Sequence, residues 1–449
     1  MSTRRRFLHD SAAVALGFGG LQILSARLAD KDSLLTEGYG PLRPDPAKVL
    51  DLPKGFSYRI ISRAGDQMDD GLMLPGKPDG MAAFAGPKGT TILVRNHEIS
   101  AAVNPEAGPF GKGNAKLTDA IRAKMYDVGA RLNVGRRVAC LGGTTTLVYD
   151  TKQQKVLRQF LSLTGTLRNC AGGLTPWGSW VTCEETTERA GKTCSLDHGY
   201  NFEVPATAEP ALAKAVPLKA MGRFNHEAIA VDPKTGYVFE TEDRGDGLLY
   251  RFIPAVRGQL VKGGKLQALV VRDAFALDTR NWDKQRIQVG GKLRVQWLDL
   301  EDVESSKDDL RHRGAKQGAA RFARGEGMWY SEGSIYFACT NGGAGRHGQI
   351  WKLTGDTLEL FAQPNDKDLC DNADNLTVAP WGDVILCEDG GGDQYIVGIT
   401  PEGRYFKLAH NASGNSEFAG ATFSPDGTTL FVNIQHRGLT LAITGPWQG

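Results

Sequence analysis

Several things are scarce in this chain, and each shortage removes a class of protein. Charge of one sign is missing: 53 Lys+Arg stand against 51 Asp+Glu, a formal net charge of +2. Nothing in that balance calls for a nucleic-acid partner or a membrane surface. Beyond the N-terminal segment no stretch approaches the roughly 20 apolar residues that cross a bilayer. Long helical runs are few. No Ser/His/Asp set on a nucleophile elbow is visible, and no glycine-rich loop opens a helix as a phosphate cradle. The runs Asn341–Gly345 and Gly390–Gly392 follow strands in turn-rich context instead.

What is plentiful is turn and strand material. With 56 glycines, 20 prolines and 8 tryptophans the composition favours many short strands. A length of 449 residues allows two or three domains, but an internal repeat lowers the expectation to one. Thr175–Glu185 (TPWGSWVTCEE) joins a Pro/Gly turn to an alternating strand that ends in a thiol and two carboxylates, and Ala379–Asp389 (APWGDVILCED) repeats the design.

Looser copies complete a series. Asp79 leads through Gly89 to Glu98, Asn169 through Gly178 to Glu185, and Asn225 through Gly236 to Arg244. Arg324 leads through Gly333 to Asn341, Asp374 through Gly382 to Asp389, and Glu417 through Gly427 to Gln435. The turn glycines are 89, 58, 97, 49 and 45 residues apart, and the shortest spacings match the roughly 40–50 residues of one propeller blade. The expectation is an all-β, six-bladed β-propeller with insertions between blades. One insertion spans Ser100–Arg137, with Asp119–Met125 helical. Another lies between Ile253 and Arg321, where the charged run Glu301–Arg313 reads as a solvated helix face or flap. Phe56–Ser62 (FSYRIIS) is placed to close the ring with the C-terminus. The segments are then a signal over 1–29, a linker over 30–55 and one propeller domain over 56–449.

The N-terminus, Thr3-Arg4-Arg5-Arg6-Phe7-Leu8 followed by the small, apolar run Ser11–Leu24, reads as a twin-arginine export signal. Its cleavage point is poorly marked, with no small-x-small triplet near Ala26 or Ala29. The expected location is periplasmic or secreted. Seven cysteines leave at least one unpaired, and a free thiol in an oxidising compartment is buried or bound to metal.

Hairpin geometry supplies the site. The start of one strand and the end of the next lie at the same edge, so six hairpins around one axis gather their polar ends at one mouth. Crowded carboxylates cannot all stay ionised without cations, and bound metal is the natural compensation. Carboxylate and amide oxygens suit calcium; thiolate and imidazole suit iron or zinc. Glu98, Glu184, Glu227, Glu326, Asp374 and Glu417 recur at equivalent positions as candidate ligands. Cys183, followed by two glutamates, is the candidate thiolate, whereas Cys387 and the remaining cysteines read as buried and structural. His97 and His226, in two Asn-His-Glu copies, divide evenly between metal and core roles. Arg244 and Arg324 are candidate clamps for an anion.

The ordered set resembles one family, the PhoX-type alkaline phosphatases. The resemblance rests on the twin-arginine start, Asn-His-Glu at 96–98 and 225–227, Trp180–Thr186, Thr241–Arg244, Arg324–Gly327, Asp374–Leu376 and Glu417–Gly427. It implies an exported propeller that hydrolyses small phosphate esters with a pair of ferric ions and calcium. Carried over by motif, Cys183 and Glu227 are implied iron ligands, and Glu184, Glu326, Asp374 and Glu417 ligands of iron or calcium. Arg324 is the implied phosphate clamp, and Asn96 a second phosphate contact. The implied partners are a phosphate ester and the twin-arginine export machinery, with no nucleic acid, and the chain acts as a monomer. Two other readings use the same architecture: a calcium-dependent lactonase, which needs neither Cys183 nor two arginines, and a non-catalytic propeller whose metals only hold the channel together.

Overall fold

The computed structural model describes residues 31–101, 107–131 and 138–448. The expected signal over 1–29 lies outside them, as do parts of the first expected insertion. No helix among the described residues is long and apolar enough to cross a membrane.

Regular structure is almost wholly strand. Six hairpins carry the architecture: β1 (Pro78–Ala85) with β2 (Thr91–His97), β3 (Asn169–Leu174) with β4 (Ser179–Glu184), and β5 (His226–Val231) with β6 (Val238–Glu242). The other three are β7 (Gly325–Ser331) with β8 (Ser334–Cys339), β9 (Ala373–Val378) with β10 (Val384–Glu388), and β11 (Phe418–Phe423) with β12 (Thr429–Ile434). All six turn glycines, from Gly89 to Gly427, take φ between 71° and 103°, a region closed to most residues with a Cβ. That requirement is why glycine marks every copy.

Further antiparallel strands extend each hairpin outward, ending in the sixth with Leu439–Thr444 paired to Ser57–Arg63. The two ends of the described chain thus meet in one sheet. The first strands touch in cyclic order: β1 lies against β3, β3 against β5, β5 against β7, β7 against β9, β9 against β11, and β11 against β1. The fold is all-β and propeller-like, with its sheets in a ring. Lys292–Asp299 pairs with both Gly264–Val271 and Thr357–Ala362, joining the third and fourth hairpin groups into one nine-stranded sheet. The charged run in that insertion reaches a short helix, α1 (Leu310–Lys316), whose Arg311 bonds back to Asp246 at 3.0 Å. Within the expected linker, Leu50–Pro53 pairs with Tyr405–Asn411 and buries Leu50 and Leu52. That part of 30–55 is sheet.

Apolar side chains fill the spaces between neighbouring sheets. Trp351, fully buried, sits with Phe322, Phe337, Leu358 and Leu360, and truncating such a side chain costs about 3–5 kcal/mol. Because β2, β4 and β5 are buried along their whole length, a polar side chain on an inner strand must meet a partner or the central channel.

Candidate metal centre

Every one of the six hairpins breaks register near the polar start of its first strand. Asp79 and Gly80 together oppose Asn96, Cys170 and Ala171 oppose Cys183, and Glu227 and Ala228 oppose Thr241. Glu326 and Gly327 oppose Ala338, Asp374 and Asn375 oppose Cys387, and Gly420 and Ala421 oppose Val432. Such bulges re-aim a side chain, and here the first bulge residue is an acid or thiol in five of six hairpins. The second is Gly or Ala in five of the six, Asn375 being the exception, and at the glycines the reason is steric. A Cβ on Gly80 would lie 2.6 Å from Ala171, and one on Gly327 would lie 2.6 Å from the Leu376 amide.

The re-aimed groups converge. Cys170, Glu185 and Glu227 have ligand atoms within 4.8 Å of one another, as do Glu227, Glu326 and Asp374, and again Asp374, Asp389 and Glu417. Because Glu227 and Asp374 are shared, the three groups form one line of donors. It runs from buried Cys170 to exposed Asp389. Asp79 lies beside it, with Gln435 Nε2 donating to Asp79 Oδ2 at 2.6 Å and to Glu98 Oε2 at 3.1 Å. Three guanidiniums border the line. Arg324 donates to both oxygens of Asp243 at 2.7 and 2.8 Å and lies 3.0 Å from Glu326. Arg168 lies 3.0 Å from Glu98 and pairs with Glu185. Arg244 and Arg168 face an open recess of about 460 Å³ that Glu185 and Asn225 also line.

Charge balance tests whether these residues fit a cation. Burial, reinforced by neighbouring acids, holds the Asp79, Glu227 and Glu326 carboxyls well above the ordinary range. Burial and then Asp389 raise Asp374 to about 7 and Glu417 to about 11. Glu185 rises to about 8 through burial, against the pull of Arg168. Burial and then Asp79 push the Cys170 thiol up. Both oxygens of fully buried Glu227 have no hydrogen-bond partner among the described residues. An unpaired buried carboxylate of this kind costs several kcal/mol unless a cation meets it. The donor set, one soft thiol among hard oxygens, fits metal ions.

Of the residues singled out from sequence, Glu227, Glu326, Asp374 and Glu417 stand in this line, and Arg324 stands at its edge. Cys183 does not. It packs between sheets with Val181, Met221, Tyr250 and Phe252, because it opposes the bulge and faces away from the channel. Glu184 does not either: His198 Nδ1 at 2.6 Å and the Leu167, Gly199 and Tyr200 amides occupy its oxygens. Asn96 is committed as well. Its amide donates to the Cys170 and Ala171 carbonyls at 3.0 and 2.7 Å, and its oxygen accepts from Trp180 Nε1 at 2.8 Å. No hydrogen remains for a phosphate, so Asn96 holds the Cys170 bulge in shape. His97 bonds the Gly76 carbonyl and Thr145, and His226 the Gly222 carbonyl beneath Phe224; both are core residues. Glu98 pairs with Lys77 and Arg168. Cys170, Glu185 and Asp389, not among the ligands expected from sequence, also stand in this line. A signal for Cys170 was present: like Asp79, Glu227 and Glu326, it precedes Gly or Ala near the start of a first strand.

A propeller-like ring whose inner bulges send acids and a thiol to one mouth, rimmed by guanidiniums, defines a metal-dependent hydrolase. The family model described as alkaline phosphatase PhoX matches residues 37–438, and the chain belongs to that family. It is a phosphatase, and its substrate is a phosphate ester. Among solved structures it is similar to Pseudomonas fluorescens PhoX in complex with vanadate, a transition state analogue, at 19% identity and a TM-score of 0.64 over 89% of this chain and 96% of that one. A gluconolactonase from Xanthomonas campestris aligns at 12% identity and a TM-score of 0.43 over 91% of this chain and 98% of that one. No curated protein matches the chain.

Proposed function

We propose that the mouth holds a mixed iron and calcium cluster at which small phosphate monoesters are hydrolysed. The observation that carries this reading is Glu227, whose two partnerless buried oxygens lie among Cys170, Glu185, Glu326 and Asp374. In this arrangement Cys170, Glu185 and Glu227 hold iron through the thiolate, while Glu326, Asp374, Asp389 and Glu417 hold the remaining ions through oxygen. When bound, the metals supply Lewis acidity to the phosphoryl oxygens and a lowered pKa to an attacking oxygen.

The chain's own residues do the rest. Arg324 is aimed by its two bonds to Asp243, while its Nη1 makes no hydrogen bond among the described residues and is left for a phosphate oxygen. Arg324 adopts φ of 52°, a strained conformation of the kind that clusters at ligand sites. Arg168 and Arg244 make the adjoining recess attractive to an anion. The ring is read as six blades in one domain that takes in 56–448 and the Leu50–Pro53 strand ahead of it, since the closed cycle of first strands joins six hairpins even where an extra strand fuses two sheets. The arginine motif at Arg4–Arg6 supports twin-arginine export to the periplasm or beyond, as a folded, metal-loaded monomer.

Release of p-nitrophenol from its phosphate ester, with elemental analysis of protein from its native export route, tests the proposal. Iron and calcium should co-purify with activity. Full activity in a Cys170→Ala/Glu326→Ala double variant would remove the basis of the site.

A further inference from the structure

A second group of metal-ligating side chains lies away from the mouth, under the loop that follows β4. Asp127, Cys140, Cys194 and His198 are all buried, none more than 1% exposed. Ligand atoms of Asp127, Cys194 and His198 lie within 4.8 Å of one another, and Cys140 Sγ is 3.9 Å from His198 Nε2. None of the four belongs to the donor line at the mouth.

The imidazole is set from behind. Glu184 Oε1 accepts from His198 Nδ1 at 2.6 Å, and Glu184 is itself held by the Leu167 and Gly199 amides, each at 2.9 Å, and the Tyr200 amide at 3.2 Å. With its proton on Nδ1 engaged there, the ring directs Nε2 at Asp127 Oδ2, 3.3 Å away. That gap is filled by a proton on Nε2 or by a metal ion in its place. Asp127 is held by the Gly129 amide and the Ser195 hydroxyl on Oδ1 and by the Ser195 and Leu196 amides on Oδ2, at 2.5 to 2.7 Å, so a metal ion reaches Oδ2 in place of one of those amides. A carboxylate backing an imidazole is the usual support of a metal-bound histidine, and thiolate, imidazole and carboxylate are the donors of tetrahedral zinc.

We propose that Cys140, Cys194, His198 Nε2 and Asp127 form a structural zinc site, with Glu184 as the residue that orients the imidazole. The ion ties the loop between β4 and Tyr200 to the segments around Asp127 and Cys140, clamping the edge of the second hairpin group. In the metal-free chain a proton takes the place of zinc on Nε2. Zinc entry therefore releases the Nε2 proton and the protons of both thiols. It also replaces the contact from Cys194 Sγ to the Arg189 carbonyl, 3.1 Å long.

Elemental analysis of the full-length protein, grown with zinc and purified under reducing conditions, should find zinc in addition to any metals at the mouth. A Cys140→Ser/Cys194→Ser variant should lose that zinc while retaining the other metals. Should the variant fail to fold, cobalt(II) substitution in the unaltered protein provides the second measurement. A thiolate-to-cobalt charge-transfer band with tetrahedral d–d bands is expected. The proposal is overturned by undiminished zinc in the variant, by a cobalt spectrum without thiolate bands, or by a Cys140–Cys194 disulfide in the peptide map of metal-replete protein. Counting iron and calcium in the same samples separates failure here from failure at the mouth.

Discussion

The hairpins built on Thr175–Glu185 and Ala379–Asp389 share a sequence pattern, and they put its parts to the same uses. In each, the cysteine enters the apolar space between sheets, Cys183 beside Met221 and Cys387 beside Phe418 and Leu430. The first acid turns away from the channel. Glu184 is taken by His198 and three amides, and Glu388 by the Asp371 and Tyr395 amides and Lys407 Nζ, at 2.9 to 3.0 Å. The second acid, just beyond the strand, reaches the donor line: Glu185 in one hairpin, Asp389 in the other. The expected contrast, with Cys183-Glu184 as ligands and Cys387-Glu388 as a relic, gives way to equivalence. Which acid reaches the donor line is decided by where the chain leaves the strand, since each earlier step reverses the side chain's face.

The largest test of that equivalence removes the second acids. Glu185→Gln and Asp389→Asn should each lower kcat/KM by more than about 100-fold and strip metal, since even outer partners of a metal site are worth 10–100-fold. Glu184→Gln and Glu388→Gln should instead keep most of the mouth metal and lose about 1–3 kcal/mol of stability. Equal metal loss in Glu184→Gln and Glu185→Gln, measured by elemental analysis, would end the distinction.

Acidity sharpens the comparison next. In metal-free folded protein Asp374 and Glu185 keep protons up to about 7 and 8, against ordinary values of 3.8 and 4.5. The unfolded chain sheds those protons first, so the folded state binds more protons and loses stability as pH rises from the ordinary values through 7 and 8. Thermal unfolding of chelator-treated protein should show Tm falling across that window, with metal restoring it. A flat Tm after chelation would contradict the reading.

The thiols divide in the same way. Cys170→Ser should weaken metal retention at least about tenfold, whereas Cys183→Ser should leave metal content intact and cost about 1–3 kcal/mol for an unpartnered buried hydroxyl. Dialysis against chelator and urea unfolding read the two effects separately. Smallest are the turn ends, remote from the mouth. Trp177 donates to Glu203 at 2.6 Å and Trp381 to Asp383 at 2.8 Å. Replacing either by Phe should cost about 0.5–1.5 kcal/mol with kcat/KM unchanged.

Much of this was legible in the chain. The turn glycines announced six hairpins because each needs positive φ, and Phe56–Ser62 announced ring closure through its alternation. Glu227, Glu326, Asp374 and Glu417 were readable as a set because they recur at one edge. The bulges were not readable, and one of them sets Cys170 among the candidate donors. A strand with regular alternation gives no warning that Cys170 and Ala171 share one opposing residue, so the sequence points to Cys183 where the structure sets Cys170 beside Glu185 and Glu227. Asn96 misled for a related reason: an amide near a channel resembles a substrate contact until its partners across the neighbouring hairpin are known.

The pairing of Ser57–Arg63 with Leu439–Thr444 bears on the order in which the protein is made. The ring closes with the last strand of the described chain, and the donor line ends at Glu417, in the final hairpin. A chain still emerging from the ribosome therefore has no complete mouth, and its acids and thiol remain an open set of weak chelators. If the mouth binds metal as proposed, its capture would report on finished synthesis, since the donor set is complete only once the hairpin carrying Glu417 has joined the ring.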